Sequence, residues 1–196
     1  MSKSLEEIYK KLNLKVRTYI KNDFVPKGKN SGCDIIQHGY CPIYEKYLKS
    51  FINKNINFCE IGILCGDKLV IFNEYFEKAK FFGYDINIDI IKEHQPPEFL
   101  DKINIKKVDS RNKLETNLIN DKFDILIDDG DHRPHSIIKT FDNFYNKVNS
   151  GGLYFIEDVN RNRLITVGNH LKKKNIVYKY EINPINRGSG IIIIFK

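Results

Sequence analysis

Two apolar runs in this chain end in acidic pairs, and a histidine follows one of them. Phe123-Asp124-Ile125-Leu126-Ile127 leads into Asp128-Asp129-Gly130-Asp131-His132, and Leu153-Tyr154-Phe155-Ile156 leads into Glu157-Asp158. If the runs are neighbouring parallel strands, both acidic tips lie at the carboxyl edge of one sheet, where open α/β sheets bind their ligands. The 28 residues from Asp129 to Glu157 leave room for one helix and one strand between the tips. Three carboxylates and an imidazole at such an edge point to a divalent metal with a general base beside it.

A second acidic series precedes these tips. Phe58-Cys59-Glu60-Ile61-Gly62 reads as a strand and turn, and Gly66-Asp67 as the start of a helix. Gly62 and Gly66 let the backbone turn sharply and approach a ligand closely. Leu64 stands where a dinucleotide-binding GxGxxG would have its middle glycine. Glu60 would repel a pyrophosphate but suits the ammonium group of an amino acid. Asp85 lies 23 residues beyond Gly62, the usual place for a carboxylate that accepts hydrogen bonds from ribose hydroxyls. Val108-Asp109-Ser110 ends the next run and suits an adenine edge. Each acidic residue taken singly could equally cap a helix. Their succession at consecutive strand ends fits an adenosine ligand carrying a methionine-like tail.

Alternating elements must position these residues. The pattern predicts strands at 57–61, 81–85, 103–108, 123–128 and 153–157, with helices at 68–78, 113–120, 135–148 and about 163–173. Nearly all-apolar strands alternating with helices imply a parallel sheet covered on both faces. The runs 176–182 and 191–195 have no full helix between them, so they should pair antiparallel at one edge. Ahead of the core, the apolar spacing from Leu5 to Ile20 predicts a helix with Ser4 as its N-cap. Lys21 to Cys41 reads as a long loop, and a short helix carrying Tyr44, Tyr47, Leu48 and Phe51 follows.

With Asp34, His38-Gly39-Tyr40 and Tyr44-Glu45-Lys46-Tyr47 ahead of the first core strand, the segment from about Asp34 to Asp158 resembles the class I methyltransferases that use S-adenosylmethionine. Within them it is most similar to the metal-dependent sugar O-methyltransferases, the group containing the macrolide mycinose-pathway enzyme. The resemblance implies a Rossmann-like α/β fold with a seven-stranded, mostly parallel sheet, helices on both faces and an antiparallel C-terminal strand. It implies one domain over 1–196, with 1–52 as N-terminal helix and cofactor-covering segment and 53–196 as the core. His38, Tyr40, Glu60, Gly62, Gly66, Asp85, Asp109, Ser110 and Asp128 would serve the cofactor, Asp128 near its methionine moiety. Asp129, Glu157 and Asp158 would hold Mg²⁺, and His132 would be the catalytic base. Hard oxygen ligands suit Mg²⁺ rather than zinc. Asp131 stands where that group usually has a small residue, and Ser110 where glutamine is common.

The implied substrate is a sugar hydroxyl on a nucleotide sugar, a glycan or a glycosylated natural product. The rivals are methylation of a catechol-like diol, whose enzymes generally use a lysine base, and a non-catalytic protein that only binds S-adenosylmethionine. His135, after Pro134, reads as the start of a helix, and His94 and His170 as surface residues.

The composition, 41% hydrophobic and 12% aromatic over 196 residues, is that of a single globular domain. Its net charge of +7 permits an acidic partner. The lysines are scattered, however, and no aromatic–basic platform for stacking bases is evident, so no nucleic-acid partner is expected. No apolar run approaches the roughly 20 residues that span a bilayer, and the start lacks a signal-type apolar core, so a cytoplasmic protein is expected. Cys33, Cys41, Cys59 and Cys65 have the spacing of neither a zinc site nor a disulfide framework. The amphipathic N-terminal helix allows contacts in a homo-oligomer.

Overall fold

The computed structural model describes residues 3–12, 17–20, 23–26, 35, 39–185 and 187–196. Helix α1, Leu5–Leu12, opens on a reciprocal cap. The Glu7 amide donates to Ser4 Oγ at 3.1 Å, and the Ser4 amide donates to the Glu7 carboxylate at 2.8 Å. The helix expected to reach Ile20 is described over Leu5–Leu12. Arg17–Ile20 (β1) and Asp23–Pro26 (β2) instead form an antiparallel pair. Thr18, Tyr19 and Ile20 are β-branched or aromatic, and that preference overrides the helical spacing of the apolar residues. β2 also replaces part of the loop expected from Lys21 to Cys41. Helix α2, Cys41–Leu48, has Pro42 in its first turn and continues as a 3₁₀ turn at Lys49–Phe51.

Seven strands form the main sheet: β3 (Asn57–Ile61), β4 (Lys80–Asp85), β5 (Ile103–Lys107), β6 (Phe123–Asp128), β7 (Val148–Ile156), β8 (Tyr178–Ile182) and β9 (Gly190–Phe195). Their order is β5-β4-β3-β6-β7-β9-β8. β3 to β7 pair in parallel, and β9 runs antiparallel to both β7 and β8, as the alternation of elements and the closing runs imply. β7 begins at Val148 rather than Leu153 because its first residues pair with β6 across a register irregularity.

The helices are α3 (Asp67–Tyr75), α4 (Asp89–His94), α5 (Pro97–Leu100), α6 (Lys113–Asn117), α7 (Pro134–Phe144) and α8 (Arg161–Lys173). α4 and α5, only six and four residues long, lie in a stretch with no helical period to announce them. No helix among the described residues is long and apolar enough to cross a membrane.

Period-2 burial splits the core in two. Phe58, Phe81, Ile125, Ile127, Phe155 and Ile193 pack on one face with residues of α1, α2 and α3. Their neighbours Cys59, Phe82, Leu126, Tyr154, Ile192 and Ile194 pack on the other with α7 and α8. Each large side chain so buried contributes roughly 1.5–3 kcal/mol, which holds the strand ends in fixed register. The chain leaves β3 toward β4 and β5, then returns to β6 on the opposite side of β3. The gap between the β3 and β6 carboxyl ends is therefore the topological switch point.

Candidate active site

A cavity of about 620 Å³ opens at the switch point, within the range of small-molecule sites. Its wall includes Gly62, Leu64, Asp85, Asp109, Ser110, Arg111, Asp129, Asp131, His132 and Thr140. Gly62 has φ +82°, and a Cβ there would lie 2.3 Å from the Asp129 carbonyl oxygen. Only glycine lets the β3 turn pass that close to the end of β6. Asp85 takes the Leu64 amide on one oxygen at 3.0 Å and the Asn87 amide on the other at 2.9 Å. Those two bonds fix its rotamer and leave acceptor capacity toward the cavity.

Asp109 is gripped by Arg111, whose Nε and Nη2 donate to its two oxygens at 2.8 and 2.9 Å. This fork holds the Asp109 carboxyl below its usual range. Ser110 Oγ pairs with Thr140 Oγ1 at 2.8 Å. Asp131 accepts from Arg133, Ser136 and Arg111. The Arg133 hydrogen bonds chiefly keep it ionised, and it braces the start of α7 and the cavity's arginine. Asp131 is absent from the donor group formed by Asp129, His132 and Asp158.

Behind the cavity wall lies a buried cluster built around Lys68. Its Nζ is 2.6 Å from Asp129 Oδ2, 2.6 Å from Glu157 Oε1 and 3.4 Å from Glu60 Oε1. Burial alone would lower the Lys68 ammonium, but the three carboxylates outweigh it and raise its pKa well above normal. Burial pushes Glu60 up to about 8 and Glu157 up to about 7. The Tyr44 hydroxyl, from α2, also donates to Glu157 Oε1. Glu157 Oε2 and Glu60 Oε2 are buried and accept no hydrogen bond among the described residues. Asp128 turns into the other core, where burial raises it to about 7.

At the rim of the cavity, donor atoms of Asp129, His132 and Asp158 all lie within 4.8 Å of one another. His132 Nε2 is 3.8 Å from Asp129 Oδ1 and 3.6 Å from Asp158 Oδ2. Burial lowers the His132 pKa below its ordinary value, so the imidazole is neutral at physiological pH and can accept a proton. Asp158 sits at φ +53°, a left-handed conformation for a non-glycine residue. The Tyr40 hydroxyl donates to its Oδ1 at 2.8 Å, and Arg163 Nη1 donates to its carbonyl at 2.6 Å.

Of the residues singled out from the sequence, Gly62, Asp85, Asp109, Ser110, Asp129 and His132 line the cavity. Tyr40, Glu60, Gly66, Asp128, Glu157 and Asp158 lie off its wall. Tyr40 and Asp158 flank it through their mutual bond, whereas Glu60 and Glu157 face Lys68. Gly66, at φ +79°, forms the left-handed start of α3. His38 and Asp34 lie outside the described residues. Sequence reasoning missed Lys68 and Arg111. The signal for Lys68 was its position: a cation in the first turn of a helix opposes the dipole, so it calls for anionic partners elsewhere.

No family model matches the sequence. The chain is 26% identical over 132 residues to the 8-demethyl-8-alpha-L-rhamnosyl tetracenomycin-C 2'-O-methyltransferase of Streptomyces olivaceus, covering 62% of this chain and 33% of that protein. It is 27% identical over 129 residues to the demethylmacrocin O-methyltransferase of Streptomyces fradiae, covering 62% and 32%. It therefore spans about a third of the length of the curated relatives it matches. Among solved structures, the MycE methyltransferase of the mycinamycin biosynthetic pathway, in complex with Mg, SAH and mycinamycin VI, superposes with a TM-score of 0.65 at 19% identity, over 80% of this chain and 48% of that one. The fold is that of the class I methyltransferases. An Aeropyrum pernix fibrillarin with natively bound S-adenosyl-L-methionine shares it, with a TM-score of 0.60 at 11% identity, over 92% of this chain and 82% of that one.

Proposed function

We propose that this protein is an S-adenosylmethionine- and Mg²⁺-dependent O-methyltransferase that modifies a sugar hydroxyl, with His132 as general base. The observation that carries the reading is the meeting of Asp129, His132 and Asp158 at the rim of a cavity whose wall also holds Asp85 and Asp109. The relatives named above, O-methyltransferases of glycosylated natural products, support the choice of acceptor.

The residues present fit both cofactors. The cavity has the volume for an adenosine with its tail, Asp85 keeps acceptor capacity for a ribose, and Gly62 leaves the turn bare of side chain. Carboxylates of Asp129 and Asp158 converge, and the adjacent Glu157 has a buried oxygen that accepts nothing among the described residues. Such hard oxygens suit Mg²⁺, with Asp129, Glu157 and Asp158 as the residues that hold it. When bound, the metal supplies a lowered pKa to a coordinated hydroxyl, and S-adenosylmethionine supplies the methyl group.

The protein's own part is positioning and proton transfer. Tyr40, immediately before α2, and Tyr44, within it, orient the Asp158 and Glu157 carboxylates. Asp85 and Asp109, on the cavity wall, would hold the ribose and adenine ends of the cofactor. Neutral His132 would take the hydroxyl proton at Nε2 as the acceptor oxygen bonds the methyl carbon and the methyl–sulfur bond breaks, with S-adenosylhomocysteine as the leaving group. The catechol rival finds no base in Lys68, which is enclosed by three carboxylates and does not line the cavity.

The test is transfer of labelled methyl groups to a panel of sugars and glycosides, with and without EDTA. His132→Ala is expected to lower the rate by roughly 10²–10⁴ while leaving S-adenosylmethionine affinity unchanged, and EDTA is expected to stop turnover. Full activity in the variant removes the base, and indifference to chelation removes the metal.

A further inference from the structure

Lys68 takes no part in the chemistry described above, yet its ammonium bonds two of the three carboxylates assigned to the metal. It is the second residue of α3, at the end of the helix that disfavours a cation. We propose that Lys68 is a built-in competitor for the divalent cation, holding Asp129 and Glu157 together until the metal displaces it onto Glu60. The inference rests on the metal part of the proposed function.

Mg²⁺ requires oxygen ligands at about 2.0–2.1 Å in near-octahedral array. An ammonium already 2.6 Å from Asp129 Oδ2 and 2.6 Å from Glu157 Oε1 blocks that approach by its charge and its volume. The displaced ammonium has somewhere to go. Glu60 Oε1 is 3.4 Å away, and Glu60 Oε2 is buried and accepts no hydrogen bond among the described residues. The partner left behind is equally prepared, since Glu157 keeps the Tyr44 hydroxyl when the lysine leaves. Donor atoms of Asp158 and His132 lie within 4.8 Å of Asp129, so the cation can begin to bind on that side before the exchange is complete. Lys68 thus keeps buried carboxylates from repelling one another in the metal-free protein, and in doing so it weakens metal binding.

The experiment is titration with Mn²⁺, followed by the electron paramagnetic resonance signal of the free ion. The protein is compared with Lys68→Gln, Asp129→Asn and Arg163→Gln, each checked for folding by circular dichroism. Lys68→Met, of similar length, is measured beside the amide variant in case that one does not fold. Lys68→Gln is expected to bind Mn²⁺ at least tenfold more tightly, and Asp129→Asn at least tenfold more weakly. Arg163→Gln removes a charge that contacts the Asp158 carbonyl without touching the shared carboxylate oxygens, and it is expected to change the affinity less than threefold. Unchanged or weaker binding in the Lys68 variants, with Asp129→Asn still defective, overturns the competition and leaves the metal site standing. Equal tightening by the Lys68 and Arg163 variants also overturns it, because Lys68 then acts only through its charge at a distance. Undiminished binding in Asp129→Asn overturns the metal site and the competition together.

Discussion

Carboxylates on the two sides of the Gly62–Asp129 contact behave in opposite ways. On the cavity side, Asp109 and Asp131 meet the guanidinium groups of Arg111 and Arg133 and stay below the usual carboxylate range. On the core side, Glu60, Glu157 and Asp128 are buried, and burial pushes them up to about 8, 7 and 7. The residue types are the same and so is the sheet edge. Depth and counterion decide the charge. The cavity side keeps fixed charges, whereas on the core side Glu60 and Glu157 share the Lys68 ammonium and Asp128 stands apart from it.

The stability consequences have opposite signs. A carboxyl with a raised pKa, such as Glu60, binds more protons folded than unfolded, so its contribution falls as pH rises from about 4.5 to about 8. Asp109, with a lowered pKa, contributes fully above its unfolded value and loses that contribution as pH falls through its folded one.

The largest effect expected from breaking this contrast is at Lys68. Lys68→Ala leaves buried carboxylates facing one another and should cost roughly 3–5 kcal/mol in urea denaturation without added metal. A loss under 1 kcal/mol would mean that the cluster does not depend on its cation. Gly62→Ala acts on the wall between the two sides. Forcing a Cβ to φ +82° costs roughly 1–2 kcal/mol, and the added atom must also push back the Asp129 carbonyl. Calorimetry should then show weaker S-adenosylmethionine binding as well as a lower melting temperature, and unchanged binding would place the cofactor elsewhere. The smallest effect is at Asp109. Asp109→Asn should cost less than about 1 kcal/mol at pH 7, because the pair is half-exposed. Its thermal stability should also fall less steeply than the parent's below pH 4, and an identical acid limb would contradict the Arg111 fork.

The fold was legible because buried parallel strands announce themselves: runs such as Phe123–Asp128 have apolar residues on both faces. The N-terminal segment was not, because Leu5–Ile20 carries helical spacing while its second half carries strand-forming residues. In the site, Gly62 and Asp85 were legible from one local stretch of chain. Lys68 was not, since its partners Asp129 and Glu157 are 61 and 89 residues away and only the crossover joins them. Asp131 stood out in the sequence as a departure, but its meaning depended on Arg111, 20 residues earlier and on a different strand end.

The hydroxyls of Tyr40 and Tyr44 reach Asp158 and Glu157 across 118 and 113 residues of chain. In terms of modularity, a boundary drawn between residues 52 and 53 would separate these hydroxyls from the carboxylates they hold. The seven-stranded unit from 53 onward has its own sheet, yet two acidic side chains at its working edge take hydrogen bonds from outside it. A fragment cut at that line would lack both hydroxyls that fix the aim of those carboxylates. The front of the chain thus fixes the aim of the site's carboxylates without lining its cavity.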